Sequence, residues 1–309
     1  MNCLLCDSNR TRPIWQRTGK ELRQLYEEAG HSISDQAYGM AISNREINLF
    51  HCDACGFEFF DPALAGSGEF YEELDSGTYY PPERPEFAFA LEYLTAYRAQ
   101  SVLDIGGGDG AFLDLARSMG MKTYGLELNQ AAAAIARTKG HFMLSEKLES
   151  IPAAELYDRI DAITLFQVLE HVPNPHEFLD VVIDRLRPGG MIVISVPNRN
   201  GIHKLLSLDP MNLPPHHITR WRGQDLKRLG AAHGLECIRT SADVLYGRAI
   251  ASFWHLQNRL ARAIGQKPIP GGRWVPELVS FFYRKLGCRY FFPRWGLSVY
   301  AAFQKKSSL

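Results

Sequence analysis

The stretch Ser101-Val102-Leu103-Asp104-Ile105-Gly106-Gly107-Gly108-Asp109-Gly110 constrains the fold more than any other part of the chain. A short apolar strand runs into an acidic residue and then into glycines, after which Ala111-Phe112-Leu113 opens a helix. Glycines in such a turn let the backbone approach a ligand closely, so the segment reads as a strand-turn-helix unit of an α/β fold with a site at the strand's carboxyl end. The same alternation continues downstream. Ala111 to Met119 predicts a helix stopped by Gly120, Met121 to Leu126 a second strand ending at Glu127, and Asn129 caps an alanine-rich helix through Lys139. His141 to Leu144 and Asp161 to Phe166 predict the third and fourth strands. Pro175 to Arg187 predicts an amphipathic helix broken by Pro188-Gly189-Gly190, and the apolar run Met191 to Val196 reads as a buried central strand. Leu235 to Leu245 and Gly296 to Phe303 supply a sixth and a seventh strand.

Gly106, Gly108 and Ala111 satisfy the generic Gly-x-Gly-x-x-Ala dinucleotide fingerprint, and Glu127 follows about 20 residues on. A pyrophosphate at that helix N-terminus would sit beside Asp109, and no P-loop lysine or hydroxyl residue follows the glycines. A cationic ligand suits Asp104 and Asp109 better, and S-adenosylmethionine carries an ammonium and a sulfonium but no phosphate. Here the chain resembles the class I S-adenosylmethionine-dependent methyltransferases, whose first motif, acidic-x-Gly-x-Gly-x-Gly, is matched by Asp104, Gly106, Gly108 and Gly110. Gln167-Val168-Leu169-Glu170-His171-Val172 resembles the segment after that family's fourth strand, which often ends Leu-Glu-His and borders the cofactor. The resemblance implies a Rossmann-like, seven-stranded doubly wound sheet with an antiparallel last strand. It also implies that Asp104, Gly106, Gly108, Gly110, Glu127, Phe166 and Gln167 bind the cofactor, with Glu127 accepting the ribose hydroxyl protons. Two rival readings stay open: an NAD-dependent oxidoreductase, disfavoured by the aspartates and by the lack of a Tyr-x-x-x-Lys pair, and a catalytically inactive methyltransferase-like scaffold.

Four of the six cysteines form two Cys-x-x-Cys pairs, Cys3/Cys6 and Cys52/Cys55. At that spacing two thiolates of one tight turn reach a single tetrahedral zinc, so the pairs predict one structural zinc with no open position. Residues 1–62 then form a small zinc-ribbon-like module, 63–98 a linker and N-terminal helix, and 99–309 the methyltransferase domain, which carries a helical insertion at 247–294. Tyr79 and Tyr80, in a Gly- and Pro-rich stretch, are candidate lids over the cofactor, with linker packing as the favoured role.

Pro214-Pro215-His216-His217 lies in a long loop that leaves the carboxyl end of the fifth strand, where open α/β folds bind substrates. His216 and His217 are therefore candidate general bases, against the alternative of imidazoles bonded to backbone in a rigid loop. As a metal pair they are poor, because adjacent histidines rarely converge on one ion. His171 divides evenly between substrate chemistry and the ordering of a helix start.

With 34 basic and 34 acidic residues the chain has no global charge footprint for nucleic acid. No apolar run approaches a spanning helix and the first residues lack a signal-peptide core, which predicts a cytoplasmic protein without a transmembrane segment. Aromatic and basic residues of 247–294 are read as covering a cleft or sheet edge, with peripheral membrane contact as the second use. No Asn/Asp-Pro-Pro-Tyr/Phe and no cysteine follows the fourth strand, which argues against nucleobase methylation. Bacterial proteins that share the two-knuckle module ahead of this domain often act on sugars, so the resemblance implies a small-molecule acceptor, a sugar or related intermediate methylated at O or C.

Overall fold

The computed structural model of the protein describes residues 1–74, 84–150, 160–201, 208–243, 247–268 and 296–306. Tyr79, Tyr80 and the aromatic residues of 269–294 lie outside them, as do the side chains of Phe253 and Trp254. Eleven strands form among the described residues: β1 (Thr11–Thr18), β2 (Glu46–Cys52), β3 (Glu58–Phe59), β4 (Ser101–Ile105), β5 (Lys122–Leu126), β6 (Phe142–Leu144), β7 (Ile160–Phe166), β8 (Leu186–Pro197), β9 (Thr219–Arg220), β10 (Leu235–Ala242) and β11 (Ser298–Lys305). The chain divides into two compact units. One contains Met1–Leu74, Pro197–Arg222 and Ala242–Val299, the other Asp75–Val196, Gly223–Ser241 and Tyr300–Leu309.

The second unit is built on a seven-stranded sheet in the order β10-β11-β8-β7-β4-β5-β6, mixed, with the last strand antiparallel. The pairings β4 with β5, β4 with β7, β5 with β6 and β7 with β8 are parallel. Parallel strands joined by helices are covered on both faces, which is why all five residues of β4, six of the seven of β7 and the apolar stretch 191–196 of β8 are buried. The winding reverses at β4, whose neighbours are β5 on one side and β7 on the other. In sheets of this kind such a reversal marks the carboxyl ends of the strands beside it, here β4 and β7, as the place where ligands bind.

One local expectation is corrected. Pro188-Gly189-Gly190 does not separate a helix from a strand. The helix Pro175–Asp184 ends earlier, and β8 runs through the tripeptide. Ile160 pairs with Leu186 and Ala162 with Met191, so the intervening residues bulge out of the ladder. Gly189 takes a φ of +74°, and a Cβ on Gly190 would sit 2.8 Å from Leu186 Cδ1. Glycine is what permits the bulge there, rather than marking a loop.

The first unit carries a four-stranded sheet, β1-β2-β3-β9, antiparallel in its β1–β2, β2–β3 and β3–β9 pairs. The helix Gly19–Ala29 follows β1 directly. Thr18 and Glu21 form a reciprocal capping box at its start, and Gly30, at φ +97°, ends it. Its buried face, Leu22, Leu25 and Tyr26, shares a core with Ile47 and Leu49 of β2 and with Leu260 and Ala261 of the helix Gly247–Ala263. Within the described part of the 247–294 insertion, then, the helix buries apolar residues in this unit's core. Among the described residues no helix is long and apolar enough to cross a membrane.

Candidate functional site

The glycine turn after β4 has the geometry its sequence demands. Gly106, Gly108 and Gly110 all have positive φ, at +76°, +52° and +85°. A Cβ on Gly106 would lie 2.6 Å from Val168 Cγ2, so only glycine lets the segment after β7 close on the turn. The N–H groups of Gly106 and Gly107 both donate to the Leu126 carbonyl, at 2.8 and 3.1 Å. Glu127 accepts from Gly108 N–H through Oε2 (2.9 Å) and from Asn129 N–H through Oε1 (2.8 Å). Its carboxylate is thus pinned at the end of β5, joining the turn to the helix Gln130–Thr138, which Asn129 caps.

Asp104 is buried, and its Oδ1 accepts the Thr164 hydroxyl at 2.7 Å. Burial pushes its carboxyl up to about 7, against the Thr164 hydrogen bond and the Arg84 charge, with Glu127 adding to the rise. Asp109 differs. Lys139 Nζ lies 3.1 Å from its Oδ2, so its charge is compensated, and the acidity of this region rests on Asp104 together with groups the sequence does not single out. Glu86 and Glu170 are such groups. Both are buried, and burial raises both carboxyls, that of Glu170 to about 8. Sequence reading missed Glu86 because an acid beside Pro85 in a first helical turn looks like an ordinary dipole partner. Thr164 and Lys139 were missed for a similar reason, as nothing local marks their partners.

The segment after β7 is strained where it meets the turn. Gln167 is non-glycine at φ +57°, a conformation that costs roughly 1–2 kcal/mol and concentrates at functional positions. Its N–H donates to the Ser195 carbonyl (2.9 Å) and its Nε2 to Ser195 Oγ (3.1 Å). Phe166 packs its ring 4.8 Å from Phe112 and 5.1 Å from Phe87, inside the apolar core. His171 ends a short turn, Leu169–His171, with Nε2 3.9 Å from Glu170 Oε1.

In the first unit, His216 and His217 are buried with their rings stacked at 4.3 Å. His216 Nδ1 lies 3.0 Å from the Met211 carbonyl, and a carbonyl only accepts, so Nδ1 carries a proton, which in a neutral ring leaves the lone pair on Nε2. His217 Nδ1 faces Asn212 Oδ1 at 3.4 Å. The amide orientation is fixed because Asn212 Nδ2 donates to Asp209 Oδ2 at 3.1 Å. Tyr26 Oη, 2.9 Å from the Pro210 carbonyl and 3.0 Å from that of Leu213, accepts the His216 N–H at 3.3 Å. The loop is therefore rigid by construction.

The same unit gathers Cys3, Cys6, Cys52 and Cys55, whose sulfurs all lie within 4.8 Å of one another. The Cys3–Cys55 and Cys6–Cys52 sulfurs are 3.6 Å apart, too far for disulfides and close to the edge of about 3.8 Å that a tetrahedron of Zn–S bonds requires.

A family model described as a methyltransferase domain matches residues 75–240, more than half of the chain. The chain belongs to that family. Similar proteins include the ubiquinone biosynthesis O-methyltransferase of Alkalilimnicola ehrlichii, 28% identical over 154 residues that cover 43% of this chain and 62% of that protein. The protein of the same description from Aeromonas salmonicida is 28% identical over 161 residues, covering 47% and 66%. The chain thus spans less than two thirds of the length of these curated relatives. Among solved structures, a SAM-dependent methyltransferase from Archaeoglobus fulgidus is 20% identical, with 71% of this chain and 94% of that one covered and a TM-score of 0.46.

The donor sets agree with the groups such a domain implies. For S-adenosylmethionine, the methyltransferase domain offers a glycine cradle that a Cβ at Gly106 would fill, beside the buried Asp104, whose carboxyl burial raises and a cationic ligand would hold ionised. For a metal, four cysteine sulfurs at tetrahedral spacing, with Leu5 N–H donating to Cys3 Sγ at 3.5 Å, form a soft cluster able to chelate one ion.

Proposed function

We propose that the protein transfers a methyl group from S-adenosylmethionine to a hydroxyl or carbon of a small-molecule acceptor, a sugar or related biosynthetic intermediate. Family membership and the acidic glycine turn support the cofactor. The fixed tautomer of His216, set by its 3.0 Å bond to the Met211 carbonyl, supports the role of this loop in proton removal. When bound, the cofactor supplies an electrophilic methyl on a sulfonium that leaves as a neutral thioether. In this reading Asp104 and Glu127, with the turn Gly106–Gly110, hold the cofactor's charged and ribose ends, while Phe166 backs the site from the core and Gln167 shapes its rim. A neutral imidazole, His216 or His217 with His171 as the third candidate, takes the acceptor's proton on Nε2 as the new bond to the methyl carbon forms. The bonds at Nδ1 hold the rings in the tautomer that this transfer needs. Zinc, in the cluster Cys3, Cys6, Cys52 and Cys55, is structural, since four thiolates leave no coordination position for a reactant.

O-methylation is the form of the reaction that most needs such a base. The A. ehrlichii and A. salmonicida proteins are described as O-methyltransferases, which is in keeping with it. The test is a screen of metabolite extracts with methyl-labelled S-adenosylmethionine, beside calorimetry with S-adenosylmethionine and NAD. Label transferred to a sugar-containing product bears the proposal out. Binding of NAD in place of S-adenosylmethionine overturns it.

A further inference from the structure

The fold of the first unit leaves one cation without its expected partner. Arg220 on β9 stands opposite Glu58 on β3, a register from which a cross-strand ion pair is the ordinary outcome. Glu58 is engaged elsewhere. Arg199 Nη2 pairs with its Oε1, and His51 Nδ1 lies 3.6 Å from the same atom. Among the described residues no carboxylate comes within ion-pair distance of Arg220. Its guanidinium lies over the Phe60 ring at 5.3 Å and makes one hydrogen bond, from Nη2 to the Asn212 carbonyl at 3.3 Å.

The residue nevertheless lies deep. Burial is the chief influence on its guanidinium and brings its pKa down to about 10, with the Arg199 charge adding to the fall and Glu58 and Asp209 opposing it. Its edge still reaches solvent: the residue keeps part of its surface accessible, and none of its nitrogens is among the enclosed polar atoms that lack a hydrogen bond. With Phe60 against one face, the remaining N–H groups point in the guanidinium plane, the approach by which carboxylates and phosphates form paired hydrogen bonds. Asn212 connects this cation to the histidine loop, for its carbonyl accepts from Arg220 and its Oδ1 faces His217 Nδ1.

We propose that Arg220 recognises an oxyanion of the acceptor, a carboxylate or phosphate group, holding it beside the His216-His217 loop. The inference rests on the reading that the acceptor binds at this loop, and its test is independent of turnover. A cation that the fold sets opposite an acid, then deprives of that acid and leaves open at its edge, is completed by an anion from outside. The full chain is titrated separately with inorganic pyrophosphate and with acetate while the arginine side-chain N–H signals are followed by NMR.

Saturable movement of the Arg220 signal by one of the two anions is expected, and the anion that binds names the source: phosphate ester or carboxylate. Arg220→Gln should weaken that binding about 10- to 100-fold, the range for lost hydrogen bonds to a charged group. Arg220→Lys should retain part of it and also serves if the glutamine variant does not fold. Arg12→Gln, which removes an exposed arginine paired with Asp53, should leave it unchanged. No saturable shift with either anion, or wild-type affinity in both Arg220 variants, overturns the proposal. S-adenosylmethionine binding is measured in parallel. Its absence with anion binding intact would count against the methyltransferase reading and not against Arg220, whereas its presence without anion binding would do the reverse.

Discussion

Raising the pH from about 6 to about 8 is expected to tighten S-adenosylmethionine binding about tenfold. Burial lifts the Asp104 carboxyl to about 7 in the free protein. With that value about one molecule in eleven carries the ionised form at pH 6, and about ten in eleven at pH 8. If the cation is held by the carboxylate, the apparent dissociation constant follows that fraction, and binding below neutrality releases close to one proton. Glu170, lifted to about 8, acts in the same direction and extends the window upward. The free protein carries the opposite dependence. An acid whose folded pKa is raised stabilises the fold fully below its ordinary value of 3.8, and that contribution is lost as pH rises through 7. Calorimetry in buffers of differing ionisation heat measures affinity and proton release together. Asp104→Asn should flatten the profile, and Glu170→Gln should trim only its upper end. A dissociation constant that does not vary over this range, with no proton released, would refute the electrostatic account of the turn.

Four further outcomes are expected. Metal analysis of protein purified without chelator should find one zinc per chain, and Cys52→Ser should lose it, because three sulfurs no longer close the cluster that four form. Gly106→Ala should abolish cofactor binding while the chain still folds, since its Cβ would meet Val168 Cγ2 at 2.6 Å and φ is +76°; a calorimetric titration of the variant checks this. Tyr26→Phe should cost about 1–3 kcal/mol in chemical denaturation, because two carbonyls and the His216 N–H lose their shared hydroxyl in a fully buried place. His216→Ala or His217→Ala should slow turnover by about 10²–10⁴-fold with cofactor affinity unchanged, and single-turnover assays with labelled cofactor read this directly; full rates in both variants would move the base to His171 or remove the need for one.

What the sequence made legible follows from how each element earns its stability. β4, β7 and β8 are written as apolar runs because helices cover both faces of a parallel sheet, and the glycines after β4 are legible because positive φ admits little else. β3 and β9, at two residues each, are too short to carry any periodicity, so nothing local announces that Glu58 and Arg220 face each other. The two Cys-x-x-Cys pairs were legible as a cluster across a separation of 46 positions only because thiol chemistry, rather than packing, joins Cys6 to Cys52. Charge was the least transferable signal. Asp104 and Asp109 look alike in sequence, yet the fold isolates the first in a low-dielectric interior and hands the second to Lys139, 30 residues away. The fold rather than the sequence decides which acids are stripped of water, and Glu86 and Glu170 join Asp104 on that ground while Asp109 leaves it. Arg220 is the same lesson with the sign reversed, since an arginine beside an aromatic strand end reads as a solvated charge until the register shows that its acid has been taken by Arg199.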